Sequence, residues 1–310
     1  MVAKSWERRR EEGLPPFFAV GDVSAVEAVW NGPITVIGEP ADAFDHFDHA
    51  LPLIRVADDE TIPGRPTLEG ARNALDSLEF AVGLTRSGAA AAVVTGPVSK
   101  TQLYAIGFSH PGQTEFVAER CGVSTDSVAM MLAGPTLKVV PVTGHIGLAE
   151  VPSALTVDRI VSKGRALIRG LQRQFGIERP RIGVAGLNPH AGENGALGRE
   201  EIDLILPAME RLAEEGYELM GPMPPDIMFR PQQRARYDAA LCMYHDQALI
   251  PLKTLHFDEG INITLGLPIV RTSPDHGTAF DIAGTDQADP GAMTAAIRIA
   301  GECARRMQAA

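Results

Sequence analysis

The feature that most constrains the fold of this chain is a repeated alternation of short apolar runs with longer amphipathic stretches. The apolar runs predict strands and lie at residues 17–20, 34–38, 90–96, 137–144, 181–188, 239–244 and 263–271. Apolar side chains at three- and four-residue spacing predict helices over 153–176, 199–216 and 291–308, and a charged helix is predicted over 2–12. Strands that alternate with helices are typical of a largely parallel sheet covered by helices, so we expect an α/β protein.

Composition limits the size and the partners of this protein. A chain of 310 residues is long enough for one large α/β domain or for two smaller ones that share a cleft. The net charge of -11 argues against a nucleic-acid partner, because neutralising phosphates requires surplus Lys and Arg. No apolar run is long enough to span a membrane, and the charged N-terminus lacks the apolar segment of a secretory signal. The three cysteines form no CxxC pair, so we expect a cytoplasmic protein with its thiols at ordinary apolar positions.

Three of the eight histidines occupy equivalent places along the chain. His145, His190 and His245 each follow an apolar run that predicts a strand. Because the carboxyl ends of parallel strands line the ligand crevice of an α/β sheet, these imidazoles are placed to converge on one divalent metal. The alternative for each histidine by itself is an ordinary polar residue at a strand end, but ordinary packing gives no reason to repeat that placement.

Polar and glycine-rich segments surround these strand ends. Residues 188–201 are dense in glycine, which allows a close approach of the backbone to a ligand, with Glu200 and Glu201 in the first turn of the next helix. Residues 95–100 and 110–115 either offer N–H groups to an anion or form ordinary turns. Residues 271–281 carry many polar groups after an apolar strand, and no GxGxxG follows any strand. These patterns favour a metal-dependent enzyme of a small, anionic molecule, without fixing the reaction.

Several long strings resemble the 4-hydroxythreonine-4-phosphate dehydrogenase family of pyridoxal phosphate biosynthesis. They are GLNPHAGENGALGREE, MYHDQALIPLK, INITLGLPIVRTSPDHGTAFDIAG, TGPVSK and PGQTEF, and the match runs from about residue 17 to the C-terminus. The resemblance is more specific for the family than for the substrate, since close relatives oxidise other phosphorylated hydroxy acids such as 4-phosphothreonate.

The resemblance implies an isocitrate/isopropylmalate dehydrogenase-like fold, with two α/β domains around a cleft and a mostly parallel sheet. Residues 1–100 plus 262–310 would form the first domain, on the NAD side. Residues 101–261 would form the second, on the side of the metal, the substrate and the dimer interface. Such proteins are homodimers, and the implied metal site is shared between the two subunits.

The resemblance also implies roles for individual residues. The metal ligands would be His145, His190 and His245, holding one Zn, Mg, Mn or Co ion. The substrate would contact Gln113, Thr114, Lys253, Asn262 and Arg271, and NAD or NADP would contact Ser273, Asp275, His276, Gly277 and Thr278. Lys253 is the candidate for proton transfer or a charged phosphate clamp, with Asp246 and Asp226 as alternative proton carriers or as groups that orient the histidines.

The implied reaction is the oxidation of 4-phosphooxy-L-threonine to 2-amino-3-oxo-4-phosphooxybutanoate, which loses CO₂ to give 3-amino-2-oxopropyl phosphate. The alternatives are a paralogue that uses another substrate such as 4-phosphothreonate, a zinc hydrolase that needs no NAD, and an inactive chain. Inactivity is considered because the family begins with a strand and a GDPAGIG-like loop, whereas this sequence starts inside the helix that follows them. A second departure is Gln113, where the family usually has a histidine, and it predicts weaker phosphate binding or an altered substrate.

Overall fold

The computed structural model describes residues 1–59 and 61–309, which divide into two compact units. The first unit contains Met1–Cys121 and Pro268–Ala304, and the second contains Gly122–Leu267 with the C-terminal residues from Arg305 onward. Residues 101–121 lie in the first unit, whereas 262–267 and those after 304 lie in the second, which is the opposite of the predicted domain assignment. The predicted domain boundaries stay a prediction.

The strands of the first unit form two parallel groups. They are β1 (Ala19–Asp22), β2 (Ile34–Val36), β3 (Leu51–Ala57), β4 (Ala92–Val94) and β11 (Val270–Pro274), numbered in chain order. A three-stranded sheet has the order β1-β3-β2, with Ala19 opposite Leu53 and Ile34 opposite Leu51. β4 pairs with β11 so that Arg271 lies opposite Val93. The segments that follow β4 and β11 therefore leave the same edge of this pair.

The first unit has long helices and several short ones. They are α1 (Val2–Glu7), α2 (Val23–Glu27), α3 (Ala43–His46), α4 (Leu68–Arg86), α5 (Lys100–Ala105), α6 (Gln113–Arg120) and α13 (Gly291–Ala309). α1 packs through the buried Trp6, whose indole N–H donates to the carbonyl of Phe47 at 2.8 Å. The prediction of one helix over 2–12 is wrong beyond Glu7. The segment from Arg8 to Glu12 has no apolar side chain to bury, and it forms turns.

Six neighbouring strands of a sheet form the centre of the second unit. They are β5 (Ala129–Gly134), β6 (Leu137–Pro141), β7 (Arg181–Ala185), β8 (Glu218–Met223), β9 (Ala239–Cys242) and β10 (Ile261–Leu265). The order is β10-β5-β6-β9-β7-β8, and only β5 runs antiparallel to both its neighbours in this part of the described chain. Val139, Val184 and Leu241 are fully buried at its centre. Burial on both faces explains why these strands appear in the sequence as continuous apolar runs.

Helices cover this sheet. They are α7 (Val151–Ala154), α8 (Val157–Phe175), α9 (Leu206–Glu214), α10 (Pro225–Met228), α11 (Pro231–Arg234) and α12 (His245–His256), and a π-helical turn, Glu201–Ile205, precedes α9. α8 begins where the Thr156 hydroxyl accepts a hydrogen bond from the Arg159 N–H, and it ends at Gly176, whose φ is 67°. The α/β class and the mostly parallel sheet predicted from the sequence are confirmed.

Strand prediction fails where tertiary contacts decide the outcome. The single strand predicted over 263–271 is wrong, because Gly266 has a φ of +89° and separates β10 from β11. A Cβ at that position would lie 2.3 Å from the carbonyl oxygen of Ser127, so glycine is required there. β3, β5 and β8 are not among the strands predicted from the sequence. β8 is only partly buried and contains Gly221 and Pro222, so it lacks a continuous apolar run.

The structure bears on the expectations about the three cysteines and about membrane-spanning helices. Within the described residues, Cys121, Cys242 and Cys303 are not joined by disulfides, and the last two are buried at apolar positions. Over residues 1–59 and 61–309, no helix has the length and apolar character needed to cross a bilayer.

Candidate functional site

The three histidines predicted to bind a metal follow three adjacent parallel strands of the second unit. His145 follows β6, His245 begins α12 directly after β9, and His190 follows β7. β9 pairs with β6 on one side and with β7 on the other. The carboxyl ends of these strands share one edge of the sheet, which is where α/β proteins bind their ligands.

Hydrogen bonds fasten these three strand ends to one another. The Gln247 side chain accepts from the Met243 N–H at 2.7 Å and donates to the carbonyl of Gly186 at 2.7 Å, which joins the ends of β9 and β7. The Thr143 hydroxyl donates to the carbonyl of Met243 at 2.9 Å, which joins the ends of β6 and β9. The buried amide in the His245-Asp246-Gln247 segment therefore has a structural role.

The structure brings His145 and His245 together. Their ring centroids are 5.1 Å apart. Nδ1 of His245 lies 2.7 Å from a carboxylate oxygen of Asp246. Because a carboxylate can only accept, Nδ1 carries the proton, and the lone pair of a neutral ring is on Nε2. Among the described side chains, no three His, Cys, Asp or Glu residues are grouped closely enough to hold a metal. Metal binding by His145, His190 and His245 stays a prediction.

His190 lies in a segment with a left-handed backbone. His190, Ala191, Glu193 and Asn194 have φ values of 54°, 52°, 44° and 56°, and Gly192 between them has a φ of 78°. A left-handed conformation costs roughly 1–2 kcal/mol for each non-glycine residue. Interactions elsewhere in the loop must therefore hold this segment in place.

The carboxylate that holds the segment is Glu201, which is 3% exposed. Its Oε1 accepts from the N–H groups of Leu187 and Asn188 at 2.7 and 2.8 Å. Its Oε2 accepts from Nδ2 of Asn188 at 2.9 Å, and Nδ2 also donates to Glu200 at 2.7 Å. Glu201 thereby fixes the chain just before His190.

The glycines of this loop make room for that carboxylate and for Asn188. A Cβ on Gly192 would lie 2.5 Å from Oε2 of Glu201, and a Cβ on Gly198 would lie 2.3 Å from Nδ2 of Asn188. From the sequence, the glycine density of this loop predicts the close approach of a ligand to the backbone. In the structure, the groups that approach the backbone are the side chains of Glu201 and Asn188.

Three further predicted residues lie in the second unit. Lys253 is half-buried on α12, eight residues after His245, which corresponds to about 12 Å along the helix axis. Asp226 is exposed in α10. Asn262 is half-buried on β10, and its Oδ1 is buried without a hydrogen-bond donor in the described part of the chain. A buried acceptor of this kind fits a ligand that donates a hydrogen bond.

The first unit holds a buried cation where three sequence motifs meet. Arg271 is 4% exposed on β11, and its Nη2 donates to the hydroxyl of Thr95 at 2.8 Å and to Oε1 of Gln113 at 3.3 Å. Gln113 in turn donates to the carbonyl of Gly96 at 3.0 Å. Arg271, Thr95 and Gln113 are far apart in sequence, and the β4–β11 pairing brings the first two together.

Burial affects the charge of Arg271 without removing it. Loss of solvent lowers the pKa of Arg271 to about 10, and the charge of Glu115 acts in the opposite direction. The guanidinium is therefore still a cation at neutral pH. Thr114 follows Gln113 as the second residue of α6 and is half-buried.

The segment predicted to bind the nucleotide follows β11. Ser273 is buried in the strand, Asp275 and Thr278 are half-buried, and His276 and Gly277 are exposed. Nδ1 of His276 donates to the carbonyl of Gly277 at 2.9 Å. A Cβ on Gly277 would meet no atom within 4 Å, so the backbone there is open to a ligand.

The sequence did not predict the roles of three residues that organise the site. Glu201, Gln247 and Thr95 fix the backbone or the side chains of predicted residues. All three are buried polar residues within the motifs that were quoted, and that burial is the signal that marks them. Their roles could not be predicted because the groups to which they are hydrogen-bonded lie many positions away in the sequence.

Comparison with known proteins identifies relatives that span almost the whole chain. The family model described as pyridoxal phosphate biosynthetic protein PdxA matches residues 15–300. A 4-hydroxythreonine-4-phosphate dehydrogenase of Zymomonas mobilis subsp. mobilis is 52% identical over 310 residues, covering 100% of this chain and 92% of that protein. One from Erythrobacter litoralis is 52% identical over 311 residues, covering 99% and 93%.

A solved structure agrees with these sequence relatives. The crystal structure of 4-hydroxythreonine-4-phosphate dehydrogenase from Klebsiella pneumoniae superimposes with a TM-score of 0.82 at 38% identity. The match covers 92% of this chain and 88% of that one. Its fold is therefore the fold of this chain as well.

Proposed function

The chain belongs to the PdxA family of oxidoreductases, and from that premise we propose that it oxidises 4-phosphooxy-L-threonine with NAD or NADP and one divalent metal ion. The C3 hydroxyl loses its proton and C3 transfers a hydride to the nicotinamide, which gives 2-amino-3-oxo-4-phosphooxybutanoate. This β-keto acid then loses CO₂ and gains a proton to become 3-amino-2-oxopropyl phosphate.

The observation that carries the proposal is the buried Arg271 guanidinium with its partners Thr95 and Gln113. A cation held rigidly by neutral hydrogen-bond partners is suited to bind a carboxylate or a phosphate. Gln113 uses its Nε2 on the carbonyl of Gly96 and its Oε1 on Arg271. It therefore orients the arginine, which is a role that differs from direct binding of the phosphate.

The histidines have the chemistry that a divalent metal requires. The bond to Asp246 leaves the lone pair of a neutral His245 on Nε2, and the His145 ring lies 5.1 Å away, centroid to centroid. His190 would complete the set. Three imidazoles accept Zn, Mg, Mn or Co, with Zn and Co suited best to nitrogen ligands. A divalent ion, when bound, lowers the pKa of an alcohol ligand and stabilises negative charge on the keto acid as CO₂ leaves.

The proton of the substrate hydroxyl needs an acceptor. Lys253 is the proposed group, because its side chain is half-buried and ends in an amine. Asp246 contacts His245 and so is better suited to orient that ring. Asp226 is exposed on α10 and is the remaining alternative.

Two features support a homodimer with sites that combine residues from both subunits. Lys253 and His245 lie about 12 Å apart along one helix, which favours their serving different sites. Three apolar side chains near these residues are largely exposed. Leu148, three residues after His145, is 70% exposed, Ile250 on α12 is 64% exposed, and Phe257 at the end of α12 is 75% exposed. Exposed apolar side chains that form one patch are typical of an interface, and we propose that these three belong to such a patch.

The nucleotide is proposed to lie along residues 273–278. This segment leaves the same edge as the segment after β4, and the carboxyl ends of parallel strands are the usual place for such cofactors. Ser273 and Thr278 supply hydroxyls, and Gly277 leaves the backbone accessible.

The test is NADH or NADPH formation with added divalent metal, with 4-phosphooxy-L-threonine compared against 4-phosphothreonate. We expect turnover that requires both the metal and the nucleotide and that is lost in His190→Ala. Preference for 4-phosphothreonate would assign the chain to a paralogous branch. Hydrolysis of phosphorylated substrates without any nucleotide would replace the proposal with a metal hydrolase, and a folded protein with neither activity would contradict both.

A further inference from the structure

A cavity of about 410 Å³ in the second unit is lined by three arginines of one helix. Arg165, Arg169 and Arg173 are spaced by four residues on α8, so they project from the same side. The protein as a whole carries a net charge of -11, so these three neighbouring cations form a locally positive region on an acidic protein. The residues lining the cavity include none of those proposed to bind the metal, the substrate or the nucleotide.

Two of these cations remain available to a ligand. Arg165 donates through Nε to the carboxylate of Glu215 at 2.9 Å, which accounts for one charge. Within the described residues, Arg169 and Arg173 form no ion pair and no side-chain hydrogen bond, and both are exposed. A planar guanidinium is well matched to the oxygens of a phosphate or carboxylate.

Among the described residues, no group donates a hydrogen bond to the oxygen of a buried amide beside these arginines. Gln174 lines the cavity and is 3% exposed, yet its Oε1 receives no hydrogen bond from the residues that the structure describes. The nearby hydroxyls of Ser127 and Ser162 donate elsewhere, to the carbonyls of Ser124 at 2.7 Å and Asp126 at 2.6 Å. Buried acceptors are nearly always satisfied, so Gln174 marks a position where a ligand would donate.

We propose that this cavity binds a small phosphoryl anion that also carries a hydrogen-bond donor. Arg169 and Arg173 would hold the anionic oxygens, and the donor would satisfy Gln174. Hydrogen phosphate has such a donor, and so does a phosphate ester that bears a hydroxyl or ammonium group, whereas sulfate and simple carboxylates have none at neutral pH. The volume lies within the roughly 300–1,000 Å³ that is usual for small-molecule sites.

The first experiment is calorimetric titration of the full-length protein with inorganic phosphate at pH 7 and constant ionic strength. We expect saturable binding that the double variant Arg169→Gln/Arg173→Gln weakens at least tenfold. The matched control is Arg179→Gln/Arg236→Gln, which removes the same charge from two exposed positions outside the cavity and should leave the affinity within twofold. Glycerol 3-phosphate is titrated in parallel, because tighter binding than phosphate would identify an ester as the occupant and equal binding would identify free phosphate.

A second comparison separates this cavity from the proposed substrate site. Binding should persist in Arg271→Gln, since Arg271 does not line the cavity. Phosphate should bind more tightly than sulfate in the unaltered protein, and Gln174→Leu should abolish that preference while retaining a similar side-chain volume.

Two results would overturn the proposed anion site as a whole. One is the absence of phosphate binding in folded protein. The other is binding that Arg271→Gln eliminates and the double arginine variant leaves unchanged, which would assign the anion to the substrate site alone. Equal affinities for sulfate and phosphate would remove the donor requirement and with it the role of Gln174.

Discussion

Glu201 accepts two hydrogen bonds from Asn188, one from its backbone N–H at 2.8 Å and one from its side-chain Nδ2 at 2.9 Å. Together with the N–H of Leu187, these donors fix the chain two residues before the left-handed segment that carries His190. A buried carboxylate thus stabilises a backbone conformation that the local sequence would not adopt by itself.

Glu201→Ala should destabilise the protein by about 2–4 kcal/mol, because the part-buried N–H groups of Leu187 and Asn188 lose their acceptor and the Asn188 amide keeps only its bond to Glu200. Glu201→Gln should cost less, since its oxygen can still accept from the backbone while its NH₂ faces the donor Nδ2 of Asn188. Urea unfolding would measure both, with the exposed Glu214→Ala as control. If Glu201→Ala is no less stable than that control, another group holds the loop.

Asp246→Ala should lower the affinity for Co²⁺ or Zn²⁺ roughly 10–100-fold, because the bond that orients His245 is lost. Competition with a chromophoric chelator would give the affinity without any dependence on turnover. Asp258→Ala, an exposed change beyond the same helix, should leave the affinity unaltered. Equal metal affinity in Asp246→Ala and the unaltered protein would show that Asp246 does not support a metal ligand.

Arg271→Gln should reduce kcat/KM for the phosphorylated substrate by about a hundredfold, corresponding to about 3 kcal/mol of lost binding to a charged group. Steady-state kinetics would measure the loss, and circular dichroism would check the fold. The exposed Arg305→Gln removes the same charge and should behave as the unaltered enzyme. An unchanged kcat/KM in Arg271→Gln would exclude this arginine from substrate binding.

Asp238 should make the stability depend on acid pH. Burial by itself would raise the pKa of Asp238, but hydrogen bonds from the guanidinium and the N–H of Arg181 outweigh burial and hold that pKa below its usual value. The contribution of Asp238 to the free energy of unfolding is therefore complete above the pKa of about 3.9 that an aspartate has in the unfolded chain. It is lost as the pH falls through the lower pKa of the folded state. Asp238→Asn should cost about 1 kcal/mol at pH 6 and progressively less below pH 4. Urea unfolding between pH 2 and 6 would test this, and a constant difference across that range would contradict it.

Ile250→Glu should weaken or abolish the proposed homodimer, because it places a charge on an apolar side chain that is 64% exposed on α12. Light scattering after size-exclusion chromatography would report the mass of the particle. Val29→Glu makes the same change at a residue that is 51% exposed in the first unit and should leave the mass unchanged. A dimer that persists in Ile250→Glu at low micromolar concentration would place the interface elsewhere.

The local features of this protein were determined by its sequence. Thr156 marks the start of α8 and Gly176 marks its end, because a capping side chain and a left-handed glycine act within a few residues of the helix ends. The strands at the centre of the second sheet were predicted correctly, because burial on both faces requires continuous apolar runs. The quoted motifs likewise indicated the family, since they depend on residue identity alone.

The tertiary structure decided what distant residues do to one another. Arg271 meets Thr95 and Gln113 across 176 and 158 positions of the chain, and no local pattern reports such a pairing. Gly266 divides an apolar stretch into two strands because the carbonyl of Ser127 occupies the space that a Cβ would need. Glu201 appeared to be an ordinary helix-start carboxylate, yet its burial against Asn188 makes it the support of the His190 loop. Periodicity and capping act over a few residues, whereas these contacts depend on how the strands are ordered in the sheet.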